Sequence, residues 1–370
     1  MKIGIVGLPN VGKTTFFNAL SGATAPAENY PFCTIEQNVG SVIVPDSRVD
    51  LLAQIDNPKK IIHATVDFVD IAGLVKGAHK GEGLGNKFLS HIREVDAIAH
   101  VVRCFNTADI THVHGAPNPI DDVQIIDMEL ALADLQTVEK RLQKVSRIAK
   151  SGDKDAKKFE DFLLKIKPTL EEGIPLRKFF TANPPSDEEK FLINEACFIT
   201  TKPVMFIANV GENIDDNTKK FIIDLKSYAA PDGCDVLTIS AAIEAELAAL
   251  DPDERELFIE ELGLNGLGLD AVIKSGYKLL NYISFYTSGP EESRAWTIVK
   301  GSTAPQAAGK IHSDIEQGFV RADIVSFDDY ITYKSFAAAR EKGLLRSEGK
   351  NYIMQEGDVV YFHFVAPKSK

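Results

Sequence analysis

The residues Gly7-Leu8-Pro9-Asn10-Val11-Gly12-Lys13-Thr14 constrain this chain more than any other stretch, because they fill the pattern G-x-x-x-x-G-K-[ST] without a mismatch. Ile3, Ile5 and Val6 precede them as a short apolar run with no polar face, the pattern of a buried parallel strand. Phe16, Phe17, Ala19 and Leu20 follow at helical spacing. In a strand, glycine-flanked loop and helix of this kind, successive backbone N–H groups turn inward as an anion nest. The helix opening at Lys13 adds the positive end of its dipole. Phosphate suits such a nest. Lys13 is placed to serve the β and γ phosphates of a nucleotide and Thr14 to ligate Mg²⁺, with Asn10, Val11, Gly12 and Thr15 completing the cradle.

Two further stretches answer that loop. Ser21 to Phe32 is a polar loop with Pro26, Asn29 and Pro31, followed by Cys33-Thr34 and a strand from Val39 to Val44. A loop between first helix and second strand is where nucleotide switches keep a Thr that closes over the γ-phosphate and its Mg²⁺, and Thr34 is the candidate. The plain alternative is an exposed turn Thr. The buried strand Thr65 to Val69 then delivers Asp70-Ile71-Ala72-Gly73. A carboxylate at that strand end can hold Mg²⁺ through its water shell, and Gly73 lets a backbone N–H approach the γ-phosphate. D-x-x-G recurs by chance, but behind a loop of the first kind its position is informative.

Leu74 follows, where a Gln would orient the attacking water; an aliphatic side chain can neither donate nor accept. Gly77, Gly81, Gly83 and Gly85 make the next stretch a candidate order–disorder switch. After the strand Ala97 to Val102, a loop from Thr107 to Pro119 carries His112 and His114. A neutral imidazole there could replace the missing Gln, His112 ahead of His114. Ordinary surface histidines are the other reading.

Base recognition is expected after the strand Pro203 to Ala208, at Asn209-Val210-Gly211-Glu212, and at Ser240-Ala241 after the strand Val236 to Ile239. A guanine site reads N-K-x-D there, its Asp accepting from the guanine N1 and N2 groups. Val210 stands for the Lys and the longer Glu212 for the Asp. Guanine readout is therefore weakened, and a base held by backbone near Val210, with Asn209 bracing the loop, favours adenine.

With 370 residues, 44% hydrophobic and 25% charged, the chain reads as an ordinary globular protein of two or three domains. Its longest apolar runs are strand-length, and the first residues enter a strand directly, so neither a membrane span nor a signal peptide is expected. Cys33, Cys104, Cys197 and Cys234 are scattered, as reduced thiols of a cytoplasmic protein would be. A net charge of −12 argues against whole-surface binding to nucleic acid while allowing a local basic face.

From Asp121 the pattern is helical through Ile125, Met128, Leu130, Leu135, Leu142 and Val145, breaks at Ser151-Gly152-Asp153, and resumes through Phe159 to Leu170 and Asp187 to Phe198. This predicts an inserted antiparallel helical hairpin. Lys140, Arg141, Lys144, Arg147, Lys150, Lys154, Lys157 and Lys158 make it basic: a solvated face, or an arm for RNA or a protein groove. A linker-like zone from Asp251-Pro252-Asp253 onward precedes helical residues to about Leu280. Beyond Ser284, short strands around Ser288-Gly289-Pro290, a helix over Pro305 to His312 and a late strand from Gly357 to Phe362 form a small α+β module.

The words GLPNVGKTT, YPFCTIEQNVG, FVDIAGLVKGAHKGEGLGNKFL, HVVRCF and NPIDD, with the N-V-G-E slot, resemble the Obg-like ATPase family, the YchF group, over essentially the whole chain. Gln37 stands where that family has Pro and His79 where it has a small residue. The resemblance implies an α/β P-loop G domain over 1–120 and 200–282, an inserted helical domain over 121–199 and a C-terminal α+β TGS domain of ubiquitin-like β-grasp type over 283–370. It also implies ATP hydrolysis in preference to GTP and association with the ribosome, as a whole or through its large subunit, with RNA contacts through the helical arm and the TGS domain. The family's hydrolytic His falls on His112.

The expected activity is thus Mg²⁺-dependent ATP hydrolysis, with Lys13 and His112 catalytic and Thr14, Thr34 and Asp70 on the metal. Nucleotide contacts are expected from Asn10, Val11, Gly12, Lys13, Thr14, Thr15, Gly73, Asn209, Val210, Glu212, Ser240 and Ala241. Asn10 occupies a position where some such loops hold K⁺, so that cation stays open. The chain is expected as a cytoplasmic monomer without a DNA or membrane partner. A guanine-specific ribosome-assembly GTPase, and a nucleotide-gated binding module with negligible free turnover, are the rival readings.

Overall fold

The computed structural model describes residues 1–22, 39–71, 84–106, 118–261 and 267–365. The chain forms two compact units: residues 1–24, 34–40 and 67–275 build the first, and residues 25–33, 41–66 and 276–370 the second.

In the first unit the strands are β1 (Lys2–Val6), β2 (Val39–Ile43), β4 (Thr65–Asp70), β5 (Ala97–Arg103), β6 (Val204–Asn209) and β7 (Val236–Ile239), with β2 and β4 carrying the chain to and from the second unit; β3 (Lys60–Ile62) belongs to that second unit. They form one sheet in the order β2-β4-β1-β5-β6-β7. Every residue of β5 and β6 is buried, which is why both are apolar apart from His100, Arg103 and Asn209: a central parallel strand is covered on both faces. β1 pairs in parallel with β4 on one side and β5 on the other, so loops leaving their C-terminal ends converge on one edge, where open α/β sheets hold ligands.

The helices in chain order are α1 (Lys13–Gly22), α2 (Arg48–Asp56), α3 (Leu84–Glu94), α4 (Pro119–Ala149), α5 (Lys154–Glu171), α6 (Leu176–Ala182), α7 (Asp187–Ala196), α8 (Asp216–Ala229), α9 (Ala241–Ala249), α10 (Pro252–Glu261) and α11 (Gly268–Leu279). α4 starts at an Asn118 cap with Pro119 in its first turn. It turns at Gly152 (φ +92°) into α5, whose Asp153 cap accepts from the Ala156 N–H at 2.8 Å. Val138, Val145, Phe162, Ile166 and Leu170 close the hairpin on its own core. The predicted hairpin is present, and α6 is an element the periodicity did not announce. The linker-like zone is corrected: Pro252 opens α10, because a Pro in a first helical turn gives up an N–H that has no partner there anyway.

The second unit holds α2 and β3, then β8 (Tyr282–Thr287), β9 (Glu292–Val299), α12 (Ala304–Ile311), α13 (Ser313–Gln317), β10 (Phe319–Ser326), α14 (Phe327–Tyr333), α15 (Phe336–Glu341), β11 (Arg346–Glu348) and β12 (Asp358–Phe364). Its sheet order is β11-β10-β12-β8-β9-β3. Phe285, Ile298, Ala308, Ile324, Val360 and Phe362 form its core. The final strand β3, parallel to β9, comes from residues 41–66, a stretch that the sequence boundaries place in 1–120.

Candidate functional site

The glycine loop leaves β1 at Gly7 and closes on α1. Leu8 and Val11 bury their side chains beneath it, which leaves the loop backbone to face outward, while Asn10 takes a left-handed conformation (φ 62°). Gly12 has φ +92°, and a Cβ there would run into Asn209 Nδ2, so only glycine fits. Thr14 and Thr15 stand exposed on the first turn of α1.

Lys13 is buried, and its ammonium donates to Gly7 O at 2.9 Å and Leu8 O at 2.8 Å. Burial pulls its pKa down to about 8, opposed by the charge of Asp70. Asp70 ends β4 level with Ile5, whose carbonyl accepts from the Ile71 N–H at 3.2 Å. Burial raises the Asp70 carboxyl above its ordinary range, opposed by Lys13, and its Oδ1 is buried without a hydrogen-bond partner. A buried carboxylate oxygen left unsatisfied is costly. With the hydroxyl of Thr14, the residue after Lys13, this donor set is of the hard-oxygen type that suits Mg²⁺. No group of three or more His, Cys, Asp or Glu among the described residues could hold a metal alone, so an ion here would also need phosphate oxygens.

Beyond the loop lies a cleft of about 720 Å³. Asn10, Gly12 and Thr15 line one part, Val210, Gly211 and Glu212 another, and Ala241 and Ala242 a third. The structure thus brings the two predicted base-recognition loops and the glycine loop to one cavity. Asn209 ties them together: its Nδ2 donates to Val11 O at 2.8 Å and its Oδ1 accepts from the Ala241 N–H at 3.0 Å. Its amide is a brace between loops. Ser240 also acts locally, as the cap of α9, its hydroxyl accepting from the Ile243 N–H. Glu212 is exposed on the rim, and Val210 is buried with its N–H donated to Ile239 O at 2.8 Å.

Phe105 and Asn106 also line the cleft. The Arg103 guanidinium lies 4.6 Å from the Phe105 ring centroid, and its Nε donates to Phe105 O at 3.2 Å. Sequence reasoning passed over Phe105; the usable signal was its place just past the C-terminal end of a fully buried strand. Thr34, Gly73 and His112, with Leu74 and His114, lie outside the described residues.

A phosphate loop closed on a helix terminus, an acid ending the adjacent strand and a cleft walled by the loops after β6 and β7 define a P-loop nucleotide-binding protein of the GTPase superfamily. Residues 2–146 match the family described as 50S ribosome-binding GTPase, and residues 282–365 match the C-terminal YchF-GTPase family, described as a protein of unknown function. The chain is 53% identical over 363 residues to the ribosome-binding ATPase YchF of Escherichia coli O157:H7, covering 98% of this chain and 99% of that protein. It is 49% identical over 367 residues to the protein of the same name from Bacillus subtilis (strain 168), covering 98% and 99%. The solved structure of the Schizosaccharomyces pombe YchF GTPase superposes with a TM-score of 0.86 at 37% identity, covering 98% of this chain and 97% of that one. This chain belongs to the YchF family.

Proposed function

We propose that the chain is an Mg²⁺-dependent ATPase, preferring ATP to GTP, that hydrolyses ATP to ADP and phosphate and acts as a ribosome-associated nucleotide switch. The observation that carries the preference is Glu212 on the rim of the base cleft, with Val210 buried where a guanine site has Lys. Adenine has no donor at N1 for a carboxylate, so a cleft that selects through backbone around Val210 favours it.

In this reading the Lys13 ammonium and the loop N–H groups hold the triphosphate and stabilise charge on the transferred group. Thr14, Thr34 and Asp70 would hold the ion, which would offset the negative charge of the phosphates. Gly73 offers its N–H to the γ-phosphate. His112 orients the attacking water, since Leu74 has no group to do so. Asn10 is the residue that would face a K⁺ ion. Turnover is slow without a partner.

The relatives' name supports a ribosomal partner. Lys140, Lys144, Arg147, Lys150 and Lys154 are exposed along α4, the following turn and the start of α5, which supports contact with ribosomal RNA through the helical arm. The C-terminal unit, with an antiparallel hairpin, a helix and further strands, is read as a TGS domain of β-grasp type that adds a second contact. The protein is read as a cytoplasmic monomer; none of the described helices is long and apolar enough to cross a membrane.

The test is equilibrium affinity for ATP and GTP with Mg²⁺ at one salt concentration. ATP should bind more tightly. GTP tighter by tenfold, about 1.4 kcal/mol, would mean that guanine contacts re-form around Glu212, and the specificity argument would be wrong. Lys13→Ala with full ATPase activity would sink the mechanism; His112→Ala with unchanged turnover would remove that residue from it.

A further inference from the structure

β8 and β12 run parallel with Val359 opposite Tyr286. β8 stops at Thr287, whereas β12 runs on to Phe364. Among the described residues, Tyr361 to Phe364 therefore have no strand beside them on that side. Across their other edge they pair with β10, Tyr361 against Asp323 and His363 against Arg321. Among the described residues no backbone hydrogen bond joins the turn Ser288–Glu291 to this stretch. Half of the main-chain donors and acceptors along such an overhang lack a neighbouring strand, which makes it a template for another extended chain.

Other features of the sheet set this edge apart. Its outermost strands, β11 and β3, are three residues each and carry Arg346, Glu348 and Lys60, the short charged edges that discourage pairing. The β12 overhang has no such protection: Tyr361 is 59% exposed, Phe364 45% and Val365, just beyond, 69%. Beside it lies a groove of about 340 Å³ lined by Val360 to Phe362, by Ile311 and Ile315, and by the turn Thr287–Glu292. Edge and groove occupy the same place.

We propose that this edge and groove form a docking site for an extended apolar segment of a partner protein, which adds to the sheet as a strand beside β12. Strand addition supplies affinity through main-chain pairing, and a groove next to the edge selects side chains at alternate positions. The rim acids are already answered, Glu291 by Lys59 at 2.8 Å and Glu292 by Arg294 at 3.8 Å. A polyanion gains little here, and an apolar strand loses little. β-branched or aromatic residues at every second position are what the groove suits.

The test uses the full chain and a library of peptides about ten residues long, with Val, Ile, Leu or Phe at alternate positions and Ser, Thr or Lys between them. Bound peptides should slow amide exchange at Tyr361 to Phe364. N-methylation of alternate peptide nitrogens should weaken binding at least about tenfold, because it removes the pairing donors. Ile315→Lys should weaken it similarly and leave nucleotide turnover unchanged. The exchange map stands by itself should that variant misfold. A library without binders, binding that is indifferent to N-methylation, or a full chain that dimerises through this edge would each overturn the proposal.

Discussion

Asn209 Nδ2 donates to the Val11 carbonyl at 2.8 Å, across a separation of 198 residues in sequence. The same amide accepts from the Ala241 N–H at 3.0 Å. One buried side chain thus holds the phosphate loop against the loop that closes the base cleft, and Gly12 is the residue whose missing Cβ gives it room. Asn209→Ala leaves Val11 O and Ala241 N–H buried without their partner, a cost of about 2–6 kcal/mol for two such groups. The expected outcome is a loss of nucleotide affinity larger than the loss of global stability, because the loops separate before the core does. Calorimetric binding beside urea unfolding checks this; unchanged affinity would show the brace to be dispensable.

Lys13 gives the site a pH dependence with a definite sign. Burial holds its pKa at about 8, so above that pH the loop loses the ammonium that a triphosphate requires. Binding restores the charge, so proton uptake accompanies binding above about pH 8, and affinity falls by up to about tenfold per pH unit there. Stability of the nucleotide-free protein moves the other way. The unfolded chain keeps this proton up to 10.5, hence binds more protons in that window, and folding gains from rising pH. Titration calorimetry in two buffers of different ionisation enthalpy reads the uptake directly; none above pH 8 would contradict the burial of this lysine.

Asp127 on α4 and Arg177 on α6 form a buried pair at 2.6 Å, to which the Tyr228 hydroxyl of α8 donates at 2.8 Å. Asp232 stands 3.3 Å from the guanidinium Nε. Breaking one partner of such a pair strands a charge away from water, so Arg177→Met should cost about 3–5 kcal/mol. Replacing all three charged groups, Arg177→Met with Asp127→Leu and Asp232→Asn, should recover a large share, since no lone charge remains. Denaturant midpoints of the two variants decide it. Equal destabilisation would mean that the carboxylate is held by Tyr228 rather than by the arginine.

The phosphate loop was legible because its physics is local: strand, glycine turn and helix start are contiguous, and each residue's reason lies within a few neighbours. The helical hairpin was legible for the same reason, through apolar spacing and the break at Ser151-Gly152-Asp153. The base cleft was readable only as separate words. Val210, Glu212 and Ala241 read as base contacts, whereas Phe105 reads only as a residue past a strand end, because its own segment does not say which cavity that end will open into.

What the sequence by itself determined is the chemistry of the loop at Gly7 to Thr14, the strands that must be buried on both faces, and the absence of a guanine-reading Lys and Asp beside Asn209. Only the tertiary structure decided that Asn209 spends its amide on two protein partners, that Lys60 to Ile62 ends the second unit's sheet rather than the first, and that β12 outruns β8. The reason is physical. Periodicity and turn chemistry act over a few residues and leave a mark in order along the chain, whereas strand partners and register are settled by which edges meet, and a three-residue strand carries too little pattern to name its neighbour.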